Sequence, residues 1–145
     1  MDRRAIAYWA TTVLFCAVVG FSGASHFMHA ENMVEAMIGL GYPLYFMTII
    51  GLAKMAGVVA VLIPGSPLLK EWAYAGITFN LIGASASHAF SGDGFSHAVR
   101  PAAILAICLL SYLLRPSSRR LASAATFPGS ASGSSEAAGA HGVAS

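Results

Sequence analysis

Long apolar runs alternate with short polar segments over the first 115 residues of the chain. The hydrocarbon core of a bilayer is about 30 Å thick, and an α-helix of roughly 20 apolar residues crosses it. Four runs reach this length, and we predict that each forms a transmembrane helix: residues 5–25, 44–63, 72–91 and 98–115. The third run contains Asn80, Ser87 and His88. We therefore expect it to face other helices rather than lipid.

The segment between the first two spans, residues 26–42, is too polar to cross a membrane. Its apolar residues Met33, Met37 and Leu40 recur at helical spacing, which predicts a short amphipathic helix on the outer surface. Pro101 falls near the start of the fourth span, and we expect it in the first turn, where its missing N–H costs little.

The chain ends in a Ser/Ala/Gly-rich segment, residues 116–145, that has no apolar period. We expect this cytoplasmic tail to be disordered from about residue 122, and we expect His141 within it to be inert. The predicted organisation is therefore all-α, with one four-helix transmembrane domain over residues 1–115 followed by the tail. Because three spans follow the first, we expect an uncleaved helix there rather than a signal peptide.

Composition supports a membrane protein. The 145 residues are 57% hydrophobic and 10% charged, and the mean hydropathy is +0.69. Soluble domains are about 25% charged, so a chain this short has too little polar surface to remain in water. No basic patch is interleaved with aromatic residues outside the spans, so we expect a lipid bilayer and no nucleic acid as partner.

Positive charges predict the orientation of the helices. With four spans, both chain ends lie on one side of the membrane. That side carries Arg3, Arg4, Lys70, Arg115, Arg119 and Arg120, whereas the other carries Arg100. Since cytoplasmic loops are enriched in Lys and Arg, we expect a multi-pass protein of the cell membrane with both termini in the cytoplasm.

Two polar residues fall near the membrane midplane. At a rise of about 1.5 Å per residue, Lys54 lies about 15 Å from the outer surface and Asn80 about 12 Å from the inner one. We expect the two to meet, with the Asn80 carbonyl accepting a hydrogen bond from Lys54. Small residues share a helix face with each of them: Gly51 and Gly57 with Lys54, Gly76 and Gly83 with Asn80. Such residues allow close approach in membranes and predict tight packing of the second and third spans.

Three interpretations of Lys54 stay open, because no carboxylate lies at its depth. It is a structural hydrogen-bond donor between helices, a ligand for a lipid-soluble headgroup such as a quinone carbonyl, or a proton or ion relay. His26 and His88 end the first and third spans, and we expect them to line the outer mouth of the same site. With Glu31, Asp93 and His97 nearby, metal binding is conceivable, but no specific motif supports it and we assign no metal.

Nothing in the sequence predicts a reaction. There is no P-loop, no dinucleotide-binding motif and no nucleophile elbow. We therefore assign no catalytic residue and do not expect the chain to be an enzyme on its own.

Four motifs resemble those of the DoxX-like membrane proteins: GLGYP at 39–43, GLAKMAG at 51–57, LKEWAYAG at 69–76 and FNLIGASASH at 79–88. The resemblance covers roughly residues 8–115. It implies a small four-helix bundle in the cytoplasmic (inner) membrane of a bacterium. The wider family is named for a subunit of a thiosulfate:quinone oxidoreductase, so the resemblance implies a redox-linked role. It gives no catalytic assignment for any residue.

The leading hypothesis is an accessory subunit in a redox or quinone-linked process, which binds a lipid-soluble ligand or redox-complex partner proteins. Lys54 and Asn80 would hold the headgroup, and a quinone is the one cofactor that the hypothesis suggests. The alternatives are a small permease of a hydrophobic or weakly charged solute, which would act as a homo-oligomer, and a non-catalytic scaffold.

Overall fold

A computed structural model describes residues 2–92 and 94–121 of the chain. Within these ranges it contains α-helices and a short 3-10 helix but no strand, which confirms the all-α prediction. The helices are α1 (Arg3–Phe27), α2 (Glu31–Gly39), α3 (Tyr45–Leu62), α4 (Pro67–Ser91) and α5 (Phe95–Leu114), followed by the 3-10 helix Ser117–Arg119.

The four long helices form a ring in which α1 packs against α3 and α5, and α4 packs against the same two helices. Short connections make neighbours antiparallel. We call one end of this bundle the α2 end, because α2 joins α1 to α3 there. The other is the arginine end, where residues 2–4, 63–66 and 115–120 come together.

The surface of the bundle is apolar. Many large hydrophobic side chains are exposed along the long helices, among them Phe21, Ile49, Leu52, Phe79 and Leu113. Within the described residues, α1, α3 and α5 are long and apolar enough to cross a membrane. The predicted third span corresponds to α4, which has 25 residues but is not one of these three. Such a surface suits lipid rather than water.

Helices α4 and α5 begin several residues earlier than the predicted spans. The left-handed conformations of Gly65 and Ser66 turn the chain so that α4 starts at Pro67, a residue suited to the first helical position. Lys70 and Glu71 therefore lie on a helix and not in a loop. Similarly, α5 starts at Phe95, so the prediction that Pro101 lies in the first turn is wrong. Pro101 lies inside the helix and lines the cavity described below.

The segment after α5 packs against the arginine end of the bundle. Residues 116–121, which the sequence analysis places in the tail, include the 3-10 helix, and Arg119 of this helix donates hydrogen bonds to the Tyr8 hydroxyl and the Val61 carbonyl. The rest of the predicted tail, residues 122–145 with His141, lies outside the described residues.

Among the glycine positions described, the closest approach of two helices is that of α1 and α3 at Gly51. A Cβ at Gly51 would lie 2.7 Å from the Phe27 nitrogen and 2.8 Å from the Gly23 carbonyl oxygen. The prediction that glycines bring the second and third spans together is wrong for Gly76 and Gly83, where a Cβ would meet nothing within 4 Å. Gly57 does contact Ile77 of α4. The tightly packed contact, which we call the α1–α3 seam, is therefore between α1 and α3. At the α2 end, α4 lies further from α3.

Replacing Gly51 with alanine should lower the free energy of unfolding by about 1–3 kcal/mol, because the new methyl group meets backbone that cannot move aside. Gly76→Ala is the matched control. It should be neutral or stabilising by up to about 1 kcal/mol, since alanine favours the helix and has open space. Denaturation in detergent, followed by loss of helical circular dichroism, measures both. Equal effects of the two substitutions would contradict the α1–α3 seam.

Candidate functional site

A cavity of about 680 Å³ lies in the α2 half of the bundle, and all five α-helices contribute to its wall. This volume falls in the usual range of small-molecule sites. Apolar side chains such as Val19, Phe46 and Ile104 form much of the surface. The polar lining residues among those described are Ser22, His26, Asn32, Tyr42, Lys54, Asn80, Ser87, His88, His97 and Arg100. The four residues predicted to bind a ligand, His26, Lys54, Asn80 and His88, therefore all line this cavity.

Lys54 lies near the middle of α3, and its Nζ donates a hydrogen bond to Ser22 Oγ of α1 at 3.1 Å. Lys54 is expected from the sequence to donate to Asn80 of α4, but its hydrogen bond goes to Ser22 of α1, the helix on the other side of α3. The reason is the seam at Gly23 and Gly51, which brings α1 onto the Lys54 side of α3. Asn80 reaches the same cavity from α4, across the open space.

Ser22 also positions His26. The His26 Nδ1 lies 2.7 Å from the Ser22 carbonyl oxygen, which can only accept, so Nδ1 carries a proton and donates. In the neutral ring this leaves Nε2 as an acceptor. Sequence reasoning missed Ser22, although its spacing of four residues from His26 puts both on one face of α1.

His88 and His97 face each other where α4 meets α5, with ring centroids 5.8 Å apart. Nearby, the hydroxyls of Tyr42 and Ser87 are 2.8 Å apart and tie the connection before α3 to α4. Asp93, which the sequence analysis grouped with these histidines, lies outside the described residues. Among the residues that are described, no group of three or more His, Cys, Asp or Glu side chains is placed to hold a metal.

A second polar cluster lies at the arginine end. Arg115 of the segment after α5 forms an ion pair with Glu71 at 2.7 Å, and the Tyr112 hydroxyl donates to the other Glu71 oxygen at 2.9 Å. The Arg115 guanidinium lies 4.0 Å from the centre of the Tyr112 ring. Burial by itself would raise the pKa of Glu71, but these hydrogen bonds and the charge of Arg115 outweigh it and hold the pKa below its ordinary value.

Lys70 belongs to the same end and is fully buried. Its Nζ donates to the carbonyl oxygens of Ala60, in the last turn of α3, and of Ile63, directly after the helix, where carbonyls lack helical partners. Burial, and then the nearby charges of Arg119 and Arg115, lower the pKa of Lys70. From the sequence, Lys70 and Arg115 served only to predict the orientation of the helices, whereas in the structure both are packing residues.

A chain of buried hydroxyls extends this cluster into the bundle. Ser111 Oγ lies 2.8 Å from the Tyr74 hydroxyl and 2.6 Å from Thr12 Oγ1, and Thr12 in turn donates to the Tyr8 carbonyl. These bonds join α1, α4 and α5. Since the polar groups of this end bond to one another, we interpret the arginine end as structural and the α2 end as the candidate site.

The fold and the cavity define an α-helical membrane protein with a polar-lined internal site. A family model described as the DoxX-like family matches residues 10–111. The chain belongs to the DoxX-like family, which confirms the resemblance seen in its motifs. No curated protein and no solved structure is significantly similar to the chain.

Replacing Glu71 with glutamine should destabilise the protein by about 2–3 kcal/mol at neutral pH, because Arg115 loses a charged hydrogen-bond partner. The folded-state pKa of Glu71 is depressed, so its contribution is present above the unfolded-state pKa and is lost as the pH falls through the folded-state value. The difference between wild type and Glu71→Gln should therefore shrink in acid.

Thermal unfolding in detergent at several pH values measures this difference, and Glu35→Gln is the control because Glu35 is exposed on α2. A wild-type advantage over Glu71→Gln that does not change with pH would show that the carboxylate charge is not what stabilises the arginine end.

Proposed function

We propose that the protein crosses the membrane four times, with both termini in the cytoplasm, and binds a lipid-soluble ligand in the cavity as an accessory subunit of a redox or quinone-linked process. Support for the fourth crossing comes from α4, whose 25 residues give a helix of about 37 Å. It packs between α3 and α5, two of the apolar helices. Arg3, Arg4, Arg119 and Arg120 at the arginine end favour a cytoplasmic location for that end.

The observation that carries the ligand proposal is the distribution of polar groups in the cavity. Apolar walls suit a ring or chain drawn from the bilayer, whereas Lys54 and Ser22 lie deep between α1 and α3. Lys54 and Asn80 both bring N–H donors, and the carbonyl oxygens of a quinone accept such bonds. A pocket with apolar walls and a few converging polar groups is the usual form of a small-molecule site.

The redox part of the proposal requires other proteins. The lining side chains hold a headgroup and move protons, but a quinone changes its oxidation state only when electrons arrive from or leave to a redox partner. We therefore assign this chain the role of holding the ligand beside partner proteins of a redox complex, not that of an enzyme acting alone.

One observation favours the permease alternative. Helix α2 lines the cavity through residues such as Asn32, Met33 and Met37, yet it packs only lightly against the other helices. A small helix over the mouth of a cavity that reaches Lys54 suits alternating access, which in so small a protein would call for a homo-oligomer. Lys54-dependent flux of a solute into vesicles would support this alternative. The scaffold alternative treats the Lys54–Ser22 bond as a helix contact only.

Binding of a short-chain quinone analogue to the protein in nanodiscs tests the proposal. Wild type should show saturable binding, and Lys54→Met should weaken it about tenfold, because a charged hydrogen-bond donor is lost from the cavity. Arg3→Met removes one positive charge from the exposed start of α1 and should bind as wild type does. Calorimetric titration measures the affinity, and the unfolding temperature of each variant checks that it is folded.

Two results would overturn parts of the proposal. Quinone binding that is unchanged in a folded Lys54→Met variant would remove Lys54 from the site and favour the scaffold role for it. Absence of saturable binding in wild type would remove the quinone proposal and direct the work to solute flux in vesicles.

A further inference from the structure

We infer that the headgroup taken by the cavity is an anion: a carboxylate, or an ionised enol of a hydroxyquinone, on an apolar tail, with its acidic oxygen at Lys54. This inference rests on the proposed ligand site and narrows its ligand class. It differs from a neutral quinone in one property, the charge of the group that meets Lys54.

The first argument is the sign of the charges around the cavity. Its lining includes the cations Lys54 and Arg100 and three histidines, whereas none of the described lining residues is Asp or Glu. The cations come from different helices, with Lys54 near the middle of α3 and Arg100 in the early turns of α5. An acidic ligand would be attracted by both.

The second argument is the orientation of α2. This helix contributes Asn32, Met33 and Met37 to the lining, whereas its acidic residues Glu31 and Glu35 are exposed and are not part of it. The helix that covers the cavity therefore presents amide and apolar groups inward and keeps its carboxylates outside. A site for a cationic solute would need the opposite arrangement.

The third argument is the missing counter-ion of Lys54. Its hydrogen-bond partner is the neutral Ser22 hydroxyl. Among the described residues the Arg115–Glu71 ion pair lies at the far end of the bundle and offers Lys54 no carboxylate. A positive charge in a low-dielectric interior is stabilised by a paired anion, and an unpaired one is strongly unfavourable. A ligand carboxylate would supply that anion, while a carbonyl oxygen supplies only a hydrogen bond.

The remaining walls suit the tail of such a ligand. Apolar side chains of α1, α3 and α4 line the same cavity: Val18, Phe46, Ile50, Phe79 and Leu81. The ligand class is therefore an acidic amphiphile, with its chain along these residues and its headgroup between α1 and α3.

Matched ligands test the inference: hexadecanoate and hexadecanol, which share a chain and differ in headgroup charge, with a neutral short-chain quinone beside them. Native mass spectrometry of the protein released from neutral detergent counts the bound molecules directly. Wild type should bind the carboxylate about tenfold more tightly than the alcohol, as expected for a charge-assisted hydrogen bond. Lys54→Met should lose this preference, whereas Lys54→Arg and the remote Arg3→Met should keep it.

The possible outcomes test the anionic headgroup separately from the proposed ligand-binding function. Equal affinity of wild type for acid and alcohol, with the quinone still bound, overturns the anionic headgroup and leaves the proposed function in place. A preference for the acid that persists in Lys54→Met overturns Lys54 as the group that meets it. Failure of all three ligands to bind wild type overturns the ligand site itself, and the inference with it.

Discussion

The contact between α1 and α3 at Gly23 and Gly51 is the constraint on which the rest of the bundle depends. Backbone meets backbone there, and a Cβ at Gly51 would lie 2.7 Å from the Phe27 nitrogen. This proximity places Ser22 beside Lys54 and gives the lysine a partner between the two helices. Because α3 is drawn to α1, α4 stays apart from α3 at the α2 end, and this space is part of the cavity that all five α-helices line.

The two ends of the bundle differ in whether their polar groups border an open cavity. At the arginine end, Glu71, Arg115 and Lys70 are bonded to neighbouring side chains or to helix carbonyls. At the α2 end, Lys54, Asn80 and Arg100 face a cavity of about 680 Å³. In an apolar surrounding, a bonded polar network stabilises a fold, whereas polar groups around a space are available to a ligand. We therefore interpret the arginine end as the support of the bundle and the α2 end as the candidate site.

The charge of the cavity connects the site to its ligand. Lys54 has a neutral partner and the described lining holds no carboxylate, so the protein leaves a positive site inside a low-dielectric bundle. The acidic ligand proposed above would complete this site electrostatically, in the way that Glu71 completes Arg115 at the other end. The chain meets this physical requirement at the arginine end, and the proposal assigns it to a ligand at the α2 end.

The sequence by itself determined the all-α fold, the approximate positions of the long helices and the place of Lys54 near the middle of one of them, since apolar run length and helical spacing depend only on the order of residues. It also brought His26, His88, Lys54 and Asn80 to one region. Tertiary structure alone decided that Lys54 bonds to Ser22, that Glu71 pairs with Arg115, and that Gly51 packs on α1 rather than α4. Periodicity gives the face and depth of a residue on its own helix. Which helix lies opposite that face depends on how all four long helices pack. Lys54 and Ser22 are 32 positions apart and Arg115 and Glu71 are 44 apart, so no local sequence pattern indicates that they meet.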